Sequence, residues 1–176
     1  DGIQILDVEA DRWLWDKEKK RWYKPGVTFR RLLALVETEA EGVALIDFSR
    51  VRGGIDHWRI CRGLEGSFSS ENASLVPRPG TVADPNGSRG DTENLDHPDY
   101  VALAYMDEVS TANAATHWEG RWQSEIERSV FLDIHQIGVS PETELMKARA
   151  AAVMGTPEES NYLHHPLVWR RKPQGD

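Results

Sequence analysis

The apolar positions change period several times along the chain. Ile3, Ile5, Leu6 and Val8 form a run of β-type composition at the amino terminus. Trp13, Leu14 and Trp15 then face Arg21, Trp22 and Tyr23 across the charged stretch Asp16 to Lys20, the pattern of a hairpin, and Pro25-Gly26 closes it. Thr28 stands where a helix cap belongs, its hydroxyl able to accept an orphan backbone N–H. Phe29, Leu32, Leu33, Val36 and Ala40 follow at helical spacing, and Gly42 is placed to stop the helix. A helix is therefore predicted over 28–41. Val43 to Phe48 reads as a short buried strand, Gly53-Gly54 as a turn, and His57 to Cys61 as a half-buried strand. Residues 1–68 thus predict a small sheet and hairpin with one helix.

Over residues 69–95 the composition shifts to Ser, Pro, Gly and Asn, with Pro77, Pro79, Gly80, Pro85, Gly87 and Gly90. A long irregular loop is expected there, of the kind that is functional or disordered when it occurs inside a domain. Helices are predicted for 96–168. Asp96 and Pro98 open one, with Val101, Tyr105, Val109 and Ala112 as its buried stripe. Trp118, Trp122, Ile126, Val130, Ile134 and Ile137 step by fours and threes along a second, which Gly138 ends. Ser140-Pro141 starts a third that runs to Met154, and the capping box at Thr156 to Glu159 begins a last short one before His164-His165-Pro166. A basic tail, 169–176, follows. The predicted class is α+β: an amino-terminal sheet with one helix, a Pro/Gly-rich loop and a carboxy-terminal bundle of about three helices, in one compact domain.

Composition narrows the function classes. In 176 residues the formal charge is −8, which argues against an overall nucleic-acid binder and against docking on anionic lipid. No apolar run approaches the roughly 20 residues of a membrane span, so no membrane insertion is expected. The single cysteine, Cys61, excludes an internal disulfide framework and favours a reducing, intracellular setting. Seven tryptophans are a surplus that either a core or an interface can use.

Candidate chemistry is sparse. His117 and Glu119 lie two apart, as do Asp133 and His135. On the predicted helix such residues point roughly 200° from each other, so no metal site is expected. Arg62-Gly63, Ser110-Thr111 and Glu142-Thr143-Glu144 occur in an order that resembles ADP-ribosyltransferases of the arginine–serine–glutamate class. That resemblance implies Arg62 as a contact to a nicotinamide dinucleotide, Ser110 as a pocket residue and Glu144 as the catalytic carboxylate. Gly138 to Thr143 resembles the turn of a helix-turn-helix, which implies a recognition helix after Pro141. The aromatic-basic mixture around the hairpin also suits single-stranded nucleic acid or a protein interface.

The reading that results is a non-catalytic structural or interaction protein, one subunit of a larger assembly such as a particle built inside the cell. It needs no cofactor. Its partners are other protein subunits, identical or different, met through Trp13, Trp15, Trp22, Tyr23, Trp169, Arg170 and Arg171. The alternatives are an enzyme built on Arg62, Ser110 and Glu144, and a nucleic-acid module.

Overall fold

A computed structural model describes residues 3–37, 42–63, 66–93, 95, 98–113, 116–138, 142–151, 163–164 and 166–172. Nearly all regular structure among them is β-sheet, which overturns the α+β class and its carboxy-terminal helical bundle. The chain contacts separate into two units, Asp1–Ile55 and Asp56–Asp176.

The first unit holds β1 (Ile3–Asp11), β2 (Leu14–Asp16), β3 (Arg21–Tyr23), β4 (Thr28–Glu37) and β5 (Val43–Arg52). β2 and β3 form the expected hairpin, with the Asp16 carboxylate accepting the N–H of Glu18 at 3.1 Å and of Lys19 at 2.9 Å to set its turn. β1, β4 and β5 make an antiparallel sheet in that order. The helix predicted over 28–41 is thus strand β4 as far as Glu37; residues 38–41 lie outside those described. The cause is visible in the sequence. Leu32 to Val36 is an unbroken apolar run serving both faces of the sheet, so the alternation that marks a half-buried strand is missing. A helical stripe can be picked out of any such run.

The second unit contains β6 (His57–Cys61), β7 (Ser67–Ser70), β8 (Val76–Pro77), a 3-10 helix (Pro98–Tyr105), β9 (Asp107–Asn113), β10 (His117–Gln123), β11 (Phe131–Ile137), β12 (Thr143–Ala151), β13 (Leu163–His164) and β14 (Leu167–Arg171). The main sheet runs β6-β14-β12-β9-β8, with β13 paired to β12; a second sheet runs β11-β10-β7. Leu145, Leu167 and Trp169 on one face of the main sheet pack against Trp118 and Trp122 of β10. On its other face Met146, Ala148, Ala150 and Val168 meet Val82, Leu103 and Met106 from the intervening segment. β12 and β14 are therefore buried on both faces.

The further helix predictions that fall on described residues are overturned as well. Trp118 and Trp122 are four apart, and four is a multiple of both the strand period and, nearly, of the helical turn. They share a strand face, while Ile126 and Val130 lie exposed around the turn between β10 and β11. Ser124 makes that turn, its hydroxyl accepting the N–H groups of Ile126 and Glu127 at 3.2 Å. The helix expected from Ser140-Pro141 to Met154 is instead β12, with 139–141 and 152–154 outside the described residues. The last predicted helix falls on undescribed residues apart from the short strand β13. Among the described residues only Pro98–Tyr105 is helical, as a 3-10 turn, and Val109 and Ala112 of its supposed stripe belong to β9. The 69–95 segment is hydrogen-bonded into the fold: Arg78 N–H donates to Val109 O and Val82 N–H to Met106 O, both at 2.8 Å, and Thr81 and Val82 are buried.

Candidate functional site

The amino-terminal sheet is the most exposed apolar surface of the described residues. Directly opposed residues in an antiparallel pair share a face, so the register sorts the side chains. One face carries Ile3, Val36, Ala44, Ile5, Ala34, Ile46, Leu32 and Phe48, then turns charged at Asp7, Glu9, Arg30, Arg50, Asp11 and Arg52. The other carries Leu6, Leu33, Leu35, Leu45, Val8, Phe29 and Val51 around the Arg31–Asp47 ion pair. Ile3, Ile5, Val43 and Phe48 are each about two-thirds exposed, at 66%, 67%, 65% and 66%. Only Ala34 in this sheet is buried. Patches of this extent mark interaction sites in soluble proteins.

The hairpin adds a second apolar element. Trp15 and Trp22 face each other across β2 and β3 with ring centroids 5.5 Å apart, edge to face. Trp13 lies under the Lys24 ammonium at 4.9 Å, and Lys24 also pairs with Asp11. Trp13, Trp15, Trp22 and Tyr23 all remain exposed. The other aromatic predicted for the interface behaves differently: Trp169 is in the core against Trp118, at 5.8 Å between rings. Arg170 lies partly buried beside it in sequence, and Arg171 ends β14 exposed.

Arg170 belongs to a polar cluster on the main sheet. Its guanidinium holds both oxygens of Asp56, Nε to Oδ1 at 3.1 Å and Nη2 to Oδ2 at 2.7 Å, and stacks 4.4 Å over the Trp58 ring. The Tyr100 hydroxyl donates to Asp56 at 2.8 Å. Burial works to raise the Asp56 carboxyl, but the hydrogen bonds from Arg170 and Tyr100 outweigh it and hold the group below the usual carboxylate range.

Glu144 sits opposite Arg170 on one side and Asn113 on the other. Ser110 is opposite Lys147, three positions further along β12, and so on the opposite face of the sheet from Glu144. Arg62 follows the end of β6, four residues beyond Trp58 in Glu144's row, about 13 Å along the strand direction. The structure does not bring Arg62, Ser110 and Glu144 together. The segments a helix-turn-helix would need as helices are β11 and β12.

The structure does bring together residues that the helical reading separated. Residues two apart on a strand share a face, so His117, Glu119 and Arg121 line the outer side of β10 with Asp133 and His135 of β11 beside them. Glu119 Oε1 lies 3.0 Å from His117 Nε2 and 3.2 Å from His135 Nδ1, and these bonds hold its carboxyl below the usual range. Arg121 Nη2 donates to Asp133 at 2.7 Å and its guanidinium covers the Phe131 ring at 4.2 Å. Ser69 and Glu71 complete a groove of about 420 Å³. The Glu119 carboxylate is spent on the two imidazoles, and among the described residues no group of three or more His, Cys, Asp or Glu is disposed to hold a metal ion. Among the described residues no helix is long and apolar enough to cross a membrane.

No protein-family model matches this chain, and no curated protein or solved structure matches it significantly.

Proposed function

We propose that this chain is a structural or interaction protein, one subunit of a larger protein assembly, and that its amino-terminal sheet is a surface other subunits cover. The observation that carries this reading is the sheet's two-sided apolar character. Strands apolar on both faces are those of sheets buried on both faces, yet Ile3, Ile5, Val43, Leu45 and Phe48 are all at least 60% exposed. Burying a side chain of this kind is worth roughly 1.5–3 kcal/mol. Covering these five would gain on the order of 5–10 kcal/mol before the cost of association. The exposed Trp15–Trp22 pair supplies rigid aromatic anchors beside the same unit's sheet in sequence.

The reading is tested with an apolar fluorescent dye and limited proteolysis on the dilute full-length chain. The dye should bind, Phe48→Ser and Ile5→Ser should each reduce the signal, and the first cuts should fall within residues 3–52. A dilute chain that binds no dye and resists cleavage throughout residues 3–52 would contradict it.

A further inference from the structure

The amino-terminal sheet carries its charge edge against edge. β1 and β5 are its outer strands and both run antiparallel to β4, so they point the same way. The register aligns residues across all three strands in rows on one face. Those rows are Ile3–Val36–Ala44, Ile5–Ala34–Ile46, Asp7–Leu32–Phe48, Glu9–Arg30–Arg50 and Asp11–Thr28–Arg52. Along the β1 edge the face therefore reads Ile, Ile, Asp, Glu, Asp. Along the β5 edge it reads Ala, Ile, Phe, Arg, Arg. One edge is acidic and the other basic at the same height, and both become apolar toward the same end.

Both edges are long and regular. Natural sheets blunt an open edge with proline, a bulge, a short strand or charged side chains; β1 and β5 carry charges, but of opposite sign. β1 and β5 contain no proline, and their pairings with β4 run nine and ten residues with no shift of register. Within one chain Arg30 stands directly opposite Arg50, a like-charge pair that is unfavourable unless a carboxylate flanks it. Asp7 and Glu9 flank Arg30 from the β1 side. The β5 side has no strand beyond it among the described residues.

We propose that the surface fits a second copy of this chain, added head to tail, with the β5 edge of one copy pairing in parallel with the β1 edge of the next. This names the partner along the sheet's two edges; it rests on the assembly reading above, whose apolar faces edge pairing leaves open to further subunits. Unshifted pairing sets Glu9 beside the partner's Arg50, Asp11, which Lys24 of its own chain also holds, beside the partner's Arg52, and Ile5 beside the partner's Ile46. Sliding the copies by two residues keeps acid beside base, with Glu9 and Asp7, the latter already bonded to Arg30 of its own chain, meeting the same two arginines. A slide of one residue exchanges the faces and loses the match. Two-fold pairing is disfavoured at either edge. Antiparallel β1 against β1 sets carboxylates beside carboxylates or isoleucines, and β5 against β5 sets arginines beside arginines or apolar residues. A head-to-tail contact leaves a free edge on each terminal copy, so it continues into a ring or a filament.

Light scattering coupled to size exclusion, on the full-length chain over a range of concentration and salt, tests this. The mass should exceed the 19.9 kDa of one chain severalfold and fall as salt rises. Reversing the β1 edge (Glu9→Arg with Asp11→Arg) or the β5 edge (Arg50→Glu with Arg52→Glu) should each reduce it to one chain. Mixing the two variants, or combining all four changes, should restore the large species, because reversed edges complement each other. A wild-type monomer at every concentration, or a mass that neither reversal changes, would overturn the proposal. So would folded single-edge variants whose mixture stays monomeric. A cysteine pair guards against misfolding of the reversed variants. Glu9→Cys with Arg50→Cys, in a Cys61→Ser background, places the two thiols two strands apart in one chain, about 9.6 Å, too far for an internal bridge. Mild oxidation should give a ladder of linked chains, and a product no larger than a dimer would refute head-to-tail pairing. Dye binding that persists with no effect of edge reversal would remove self-pairing and leave a different protein as the partner. Loss of the dye signal as well would remove the assembly reading itself.

Discussion

Arg170 grips Asp56 across 114 residues of chain with two hydrogen bonds, 3.1 Å from Nε and 2.7 Å from Nη2. The pair ties the first strand of the second unit to the last, since β6 and β14 are hydrogen-bonded neighbours. Asp56→Asn keeps the shape and removes the charge. A loss of stability on the order of 1–3 kcal/mol is expected, measured by chemical denaturation. A change within experimental error would show that solvent already screens the pair.

The same carboxylate sets a direction for acid stability. Asp56 is held below its ordinary value in the folded chain, and so is Asp107, where burial opposes but the two hydrogen bonds from Arg149 prevail. A depressed folded value contributes stability that is complete above the unfolded carboxyl value, near pH 4. It is lost as pH falls through the lower folded value. The thermal midpoint of the second unit should therefore drop below about pH 4, and Asp56→Asn should flatten that drop.

Gly120 lies between Trp118 and Trp122 on the inward face of β10, and a methyl group there would overlap the Phe68 ring. Phe68 in turn packs on Trp122 with ring centroids 5.0 Å apart. Gly120→Ala should cost about 1–3 kcal/mol through overpacking. Phe68→Leu in the same background should recover part of it, and failure to do so would place the strain in the backbone instead.

The tryptophans divide by unit. Trp118, Trp122 and Trp169 are buried in the second, whereas Trp13, Trp15 and Trp22 are exposed in the first. Single-tryptophan variants retaining Trp22 should be quenched by acrylamide several times more strongly than those retaining Trp118. Equal quenching would contradict the division, and protection of Trp22 that develops with concentration would place the hairpin inside an interface.

Strands were legible in the sequence where β-type composition or flanking turn residues mark them. Ile3 to Val8, the Trp15–Trp22 hairpin and His57 to Cys61 all lie in strands as expected. In β12 a helix was misread because the cap-like Ser140-Pro141 outweighed the alternation of Met146, Lys147, Ala148, Arg149 and Ala150. Helices were also misread where a strand is apolar on both faces, as in β4, or where its inward residues fall four apart, as Trp118 and Trp122 do. That single error also hid the Glu119 ladder. His117 with Glu119, and Asp133 with His135, diverge on a helix and converge on paired strands, so the choice of period decided whether a polar cluster existed at all. The β1 and β5 edges could not be found from composition, because Glu9 and Arg50 become complementary only once the β1-β4-β5 order and register are known.

Backbone hydrogen exchange on the full-length chain, first dilute and then at rising concentration, tests the central claim most directly. If the amino-terminal sheet is completed by neighbouring subunits, amides of β1 and β5 should exchange much faster than those of β12 in the dilute chain. They should then gain protection with concentration while β12 stays unchanged. Protection of β1 and β5 equal to that of β12 in a dilute monomer, unaltered by concentration, would contradict the account.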